Sequence, residues 1–389
     1  MGTVTPSHNR RVKVGLGLIV AVLTLLAPLV LSPANLTVYM LLGTAAMVTV
    51  GVSLLMGYAG QVSLGQAAFF GIGGYTAALM TAHGLPSALG LICAPFVAAL
   101  LAALVGIPIM RLRGHYLAFA TLAFQLIMLS AVGQIDFFGG DIGLQGIPQL
   151  GLGGAELSTA RSYAWLTWAG VAIVMLITRN IIASRPGRGL RALATSETAA
   201  ESSGVPVARY RITVFALSAG FAGLAGGIYA FSIGYIAPGS FPVLLSFEFV
   251  VMAVIGGLGT IWGPLVGAAI ITVLVQVLNN LGTQPGMPSY ASNVFSYAVY
   301  SVLLILVLLF LPRGLLPAAT ELLDRLRRRV GVGPTIGTPT SLDDSELPMT
   351  VDDSQAPTTV DDSEHPTTVD DLQNTKNHVT YTFHSATSK

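Results

Sequence analysis

Gln61, Ser63 and Gln66 lie within MGYAGQVSLGQAAFFGIGGY, residues 56–75, a stretch with six glycines and no charge. Bracketed by Gly57, Gly60 and Gly65, these amide and hydroxyl groups can exchange hydrogen bonds with water or a polar solute wherever the backbone departs from a helix. Glu248 is the other group able to do chemistry, as the only charged residue between Ile212 and Pro312. A carboxyl in such surroundings is a candidate for ion or proton handling, or it locks two helices together by hydrogen bonding. Tyr116 and Thr121 place two further hydroxyls in an apolar run.

Other chemistry is missing. Of six histidines only His83 and His115 fall in the apolar region, without a second ligand at metal-binding spacing, so no metal site is expected. The three lysines are Lys13, Lys376 and Lys389, and none follows a glycine, so the phosphate-cradling loop of nucleotide-driven motors is absent. No catalytic group and no cofactor is expected on this chain; if it moves solutes with ATP, another chain binds the nucleotide. The single cysteine, Cys93, reads as a packing residue.

The elements that position these groups follow from composition. The chain has 389 residues, 53% hydrophobic and 10% charged, and Val14 to Met110 holds no Lys, Arg, Asp or Glu. One membrane span uses about 20 residues, so such runs are several spans joined by short loops. The expected fold is an all-α polytopic transmembrane bundle with spans near 14–31, 36–57, 66–82, 86–110, 115–133, 162–182, 212–235, 245–258, 262–281 and 294–311. The first of these also resembles a signal segment, with Ser32-Pro33-Ala34 as a cleavage site, but its length favours a retained helix.

Arg10, Arg11, Lys13, Arg111, Arg113, the bases from Arg179 to Arg211 and Arg313 all fall on one side of this threading. Asp136, Asp141, Glu156 and Arg161 fall on the other. Cytoplasmic loops accumulate Lys and Arg, so both termini are expected in the cytoplasm. The domain reading is then a cytoplasmic N-terminus at 1–13, a membrane domain at 14–317 with a cytoplasmic loop at 184–211, and a basic amphipathic segment at 318–330 facing membrane lipid. Residues 331–389 carry a nine-residue repeat (VDDSQAPTT, VDDSEHPTT) too poor in apolar side chains to fold, and read as a disordered acidic tail.

Non-helical backbone is tolerated inside a bilayer only where protein or a watery cavity satisfies it. The glycines of 57–66 therefore mark either a break lining a path or a place where helices approach closely. A second interrupted region, residues 236–268, ends its span at Gly256, Gly257 and Gly259. Broken spans in both halves of a carrier point to a central path. Gln61, Ser63, Gln66, Tyr116, Thr121 and Glu248 are its candidate contacts, chosen for polarity within spans. In the loop between spans six and seven, Glu197, Ala199, Ala200 and Gly204 outline a short helix closed by glycine, a docking element for a soluble partner.

Taken together, GYAGQVSLGQAAFFGIGGYTAAL, GHYLAFATLAF, GGDIGLQGIP, the ETAAESSGV loop, EFVVMAVIGGLGTIWGPLVGA and FLPRGL resemble the branched-chain amino acid ABC transporter permeases, of the M type. The likeness runs from about residue 40 to 317 and leaves out the acidic tail. It implies a multi-pass subunit of the bacterial inner membrane that pairs with a second homologous permease. It also implies two cytoplasmic ATP-binding subunits and an extracytoplasmic solute-binding protein, with no nucleic acid among the partners. Glu197, Ala199, Ala200 and Gly204 match the family's coupling loop, although the motif begins Glu-Thr-Ala-Ala instead of Glu-Ala-Ala. The alternative is an autonomous ion-coupled carrier or channel for a small polar solute, with Glu248 as its coupling group.

Overall fold

A computed structural model describes residues 24, 26–112, 114–152 and 155–282. The expected spans at 14–31, for the most part, and at 294–311, the basic segment at 318–330 and the acidic tail lie outside the described residues. Within them the chain is helical; after a helical stretch at 26–30 come ten α-helices: α1 (Pro33–Ser53), α2 (Gln66–Ala82), α3 (Ser87–Ile109), α4 (His115–Gln134), α5 (Ala160–Ala183), α6 (Arg185–Thr195), α7 (Glu197–Ser202), α8 (Val207–Ile233), α9 (Val243–Gly256) and α10 (Gly263–Gly282).

Seven segments among the described residues are long and apolar enough to cross a bilayer: Pro33–Tyr58, Ser87–Ile109, His115–Gln134, Ala160–Ala183, Val207–Ile233, Pro238–Gly256 and Gly263–Asn280. Each matches an expected span, and the chain is a multi-pass membrane protein. The eighth, α2, has only 17 residues, which rise about 26 Å against a hydrocarbon core of about 30 Å. Helix α8 starts at Val207, five residues before the expected boundary at 212. Arginine is a good helix former, so the helix takes in Arg209 and Arg211 beyond the apolar run.

At the centre, α8 is lined with small residues. Ser218, Ala219, Gly220, Ala222, Gly223, Ala225, Gly226 and Gly227 are all buried. A Cβ on Gly73 of α2 would collide with the backbone of Gly223, and one on Gly226 with the carbonyl of Phe70. On its other side, Gly223 faces Ala98 and the carbonyl of Ala94 in α3. Small residues let three backbones approach closely where the hydrophobic effect gives no drive between helices. At the periphery Ile92, Phe96, Leu100 and Leu104 of α3 form an exposed apolar row. Their spacing of four places them on one face of the helix, as a lipid-facing surface requires.

Loop contacts sort the helix ends into two sets. After α4, strand β1 (Leu144–Gln145) pairs antiparallel with β4 (Tyr235–Ile236), which follows α8. The short hairpin of β2 (Gly151–Leu152) and β3 (Ala155–Glu156) is tied to the start of α3 where the Gly151 N–H donates to Ser87 Oγ at 2.7 Å. These elements form the acidic end, with Asp136, Asp141 and Glu156. The opposite end carries α6 and α7 and the arginines at 185, 188, 191, 209 and 211.

Candidate functional site

The first glycine break is built by a widening of α1. Its last turn, Leu54–Tyr58, is π-helical, and the Gln61 N–H reaches back to the Leu55 carbonyl at 3.1 Å. Wide turns of this kind concentrate at functional sites. Gly60 then turns the chain with φ of +65°, a conformation costly to residues with a Cβ. The chain leaves the helix and re-enters at Gln66.

Side chains from distant helices hold this segment in place. Thr121 Oγ1 on α4 accepts from the Leu64 N–H at 2.9 Å. Ser246 Oγ on α9 accepts from the Ala67 N–H at 2.9 Å and donates to Gln125 Oε1 at 2.6 Å. Gln125 Nε2 in turn donates to the Pro242 carbonyl at 3.3 Å. Hence backbone donors left free at the start of α2 are satisfied by α4 and α9, as a break buried in lipid requires.

The two glutamines of the break behave differently. Gln61 and Gln66 are buried, at 2% and 0% exposure, and no side-chain amide atom of either has a hydrogen-bond partner among the described residues. Ser63 is equally buried. Leaving an amide unpaired costs about 1–3 kcal/mol for each group, so this hydrogen-bonding capacity is held at a disadvantage.

The second break meets the first. Gly57 packs so tightly on Gly259 that an added Cβ would strike its N and Cα atoms. Tyr58 Oη donates to the Gly259 carbonyl at 2.5 Å. Gly257 and Gly259 have φ of +107° and +75°, and Gly256 abuts the carbonyl of Gly263, folding α9 tightly onto α10. On its far side Gly60 faces Ala194 of α6, whose Cα would lie 3.7 Å from an added Cβ.

The loop helices are well formed. Ser196 caps α7 by accepting from the Ala199 N–H at 3.3 Å. Ala200 is fully buried in a small cluster with Leu193 and Val207, whereas Ala199 is exposed. Gly204 ends the helix with φ of +77°. Glu197 is ion-paired with Arg211 at 2.9 Å, which ties α7 to the first turns of α8.

Glu248 stands elsewhere. It lines a cavity of about 260 Å³ bounded by Val38, Leu41, Thr44 and Ala45 of α1, Phe70, Tyr229, Ser240, four residues of α9, and Thr272, Val275, Gln276 and Asn279 of α10. Phe70, Tyr229, Phe241 and Phe249 pack ring to ring beside it, with Phe70 5.4 to 6.0 Å from the other three. Its lining takes in the middle of α1, Val38 to Ala45, and the half of α10 nearest Gly282, away from the α9–α10 turn. The polar residues chosen from sequence thus fall into three places. Gln61, Ser63, Gln66 and Thr121 gather at the break, Glu248 faces the cavity, and Tyr116 is 74% exposed on α4, apart from both. Gln125, Ser246 and Tyr58 escaped the sequence reading, although a glutamine and a serine within apolar spans were the available signal. Among the described residues no cluster of His, Cys, Asp or Glu could hold a metal ion.

Comparison with known proteins adds a family. Residues 34–308 match the family described as "Branched-chain amino acid transport system / permease component". The chain is similar to the high-affinity branched-chain amino acid transport system permease protein LivM of Escherichia coli (strain K12), 29% identical over 73% of this chain and 69% of that protein. It is 25% identical to a probable LivM of Methanocaldococcus jannaschii over 62% of this chain and 72% of the relative. A shorter similarity, 29% over 42% of this chain and 49% of the relative, links it to the permease LivH of Salmonella typhimurium.

Proposed function

The chain belongs to the permease components of branched-chain amino acid transport systems, and from that premise we propose that it is one membrane-spanning subunit of an ABC importer for branched-chain or related amino acids. It pairs with a second, homologous permease and takes its driving force from two cytoplasmic ATPases, while an extracytoplasmic binding protein delivers the solute. The arginine-rich end bearing α6 and α7 then faces the cytoplasm of a bacterial inner membrane, in line with the preference of basic residues for that side. This chain catalyses no reaction; it presents a path.

One observation carries the mechanism: the break at 57–65 lies between α6, at Ala194, and the second break, at Gly259. An ATPase docked on α6 and α7 pushes on a segment that is already non-helical, and the Tyr58–Gly259 contact passes the displacement to the α9–α10 turn. Gln61, Ser63 and Gln66 are buried and become solvated as the break opens. Such a device is a two-state element biased from both ends. Glu197, Ala199, Ala200 and Gly204 build the docking loop, with Ala199 outward and Ala200 as its anchor.

Reconstitution tests the proposal. Liposomes holding this chain, its partner permease and the ATPases, supplied with binding protein, take up radiolabelled leucine only when ATP is enclosed. Uptake by this chain alone under an ion gradient would overturn the reading in favour of a secondary carrier.

A further inference from the structure

Glu248 is a carboxyl facing a cavity whose lining, among the described residues, holds no Lys, Arg or His. It makes no hydrogen bond or ion pair with the described residues, so the alternative of a helix-locking contact finds no partner among them. A carboxyl in the apolar part of a membrane protein is expensive unless something of opposite charge or a donor meets it. Among the described residues nothing completes this site, which leaves that part to an occupant of the cavity.

The surroundings define its chemistry. The lining offers neutral hydroxyl and amide oxygens but only one formal negative charge, Glu248, too little to neutralise a divalent metal cation. An organic ammonium fits better, because Phe70, Tyr229 and Phe249 line the same cavity and aromatic rings attract cations. Tyr229, Ser240, Thr272 and Gln276 place hydroxyl and amide groups in the same cavity, enough donors for a carboxylate. Leu41, Leu245 and Met252 supply apolar wall. A volume of about 260 Å³ is slightly below the roughly 300 Å³ at which pockets for drug-sized ligands begin, as suits a smaller solute.

We propose that this cavity is an amino-acid site within the single subunit, in which Glu248 holds the α-ammonium group, the Tyr229–Gln276 side receives the carboxylate and the α1–α9 wall takes an aliphatic side chain. The inference rests on the permease reading and deepens it by giving the solute a station before the glycine break. The cavity lies away from the α9–α10 turn and the break lies against it, so a solute entering from the acidic end meets Glu248 first and Gln61 and Gln66 afterwards.

The test uses the assembled importer of permeases and ATPases in lipid nanodiscs, with Cys93→Ala as background and Leu41→Cys as reporter. A small water-soluble thiosulfonate labels the reporter, and leucine slows that labelling. Isoamylamine, which keeps the ammonium, also slows it; 4-methylpentanoate, which lacks it, does not. In Glu248→Gln the leucine concentration needed for half-protection rises about tenfold or more, as loss of one charged partner implies. Equal protection by 4-methylpentanoate and leucine, or an unchanged half-protection in Glu248→Gln, would overturn the ammonium assignment. No protection by leucine in a preparation that transports leucine would remove the site and leave the permease reading standing. Absence of ATP-dependent uptake would instead sink the permease reading, and this inference with it.

Discussion

The phenol of Tyr58, at the end of the π-helical turn, donates a 2.5 Å hydrogen bond to the carbonyl of Gly259, so two glycine-bearing breaks 201 residues apart are fastened to one another. Both glycines beside this bond are tightly placed: Gly57 touches the Gly259 backbone, and Gly259 has φ of +75°. Removing the hydroxyl strands a carbonyl. Tyr58→Phe is expected to lower stability by about 1–2 kcal/mol. Gly57→Ala must push two backbones apart and is expected to cost about 1–3 kcal/mol. Thermal unfolding in detergent, followed by fluorescence-detected size exclusion, measures both; an unchanged midpoint for Gly57→Ala would contradict the contact.

The α2–α8 seam gives a second prediction. Gly226→Val would place a branched side chain against the Phe70 carbonyl, and overpacking on this scale is expected to cost about 3 kcal/mol or more. The monodisperse fraction after solubilisation should fall sharply. Gly239→Ala serves as control, since nothing lies within 4 Å of its added Cβ, and it should behave as the parent.

The polar link at the start of α2 should also register. Ser246→Ala removes an acceptor from the Ala67 N–H and a donor to Gln125. Two buried groups lose partners, so about 2 kcal/mol or more is expected. Hydrogen exchange at residues 64–67 should accelerate in the variant, while exchange in α3 stays as it was.

Ion-pair reversal examines the docking loop. Glu197 and Arg211 are 18% to 23% exposed, and such partly exposed pairs contribute about 1 kcal/mol or less to stability. Glu197→Arg and Arg211→Glu are each expected to reduce ATP-driven uptake several-fold with little change in unfolding temperature. The double variant restores the pair in reverse and should recover a measurable part of the uptake. No recovery would mean that the two residues act separately.

State-dependent labelling addresses the path itself. Gln61 and Gln66 are at most 2% exposed, so Gln61→Cys and Gln66→Cys should resist a membrane-impermeant thiol reagent in the resting importer. During ATP turnover they should react at least several times faster. Equal resistance in both states would exclude these positions from the path.

Glycine and polar residues inside apolar runs pointed to a break at 58–65, and the chain leaves the helix at Gly60, whose φ above zero is a conformation glycine readily adopts. Helix boundaries near 66–82, 86–110 and 115–133 were equally visible, since each apolar run ends at a turn signal. Gln125 and Ser246 were not, because their importance comes from meeting each other and the Ala67 N–H across three separate helices. Tyr116 looked equivalent to Thr121, but five residues on an α-helix turn it through more than one full revolution, and its side chain faces outward.

By itself the sequence determined that this chain crosses a membrane many times, where its spans break, and which end carries the basic residues. Those properties are sums over neighbouring residues: hydropathy, backbone freedom and charge act along a short window of chain. Only the tertiary structure decided that the two breaks touch, that α6 rests on the first of them, and that Glu248 belongs to a separate cavity. Contacts of that kind depend on how helices distant in sequence pack, and close approach at Gly73, Gly223 and Gly226 is what sets the packing.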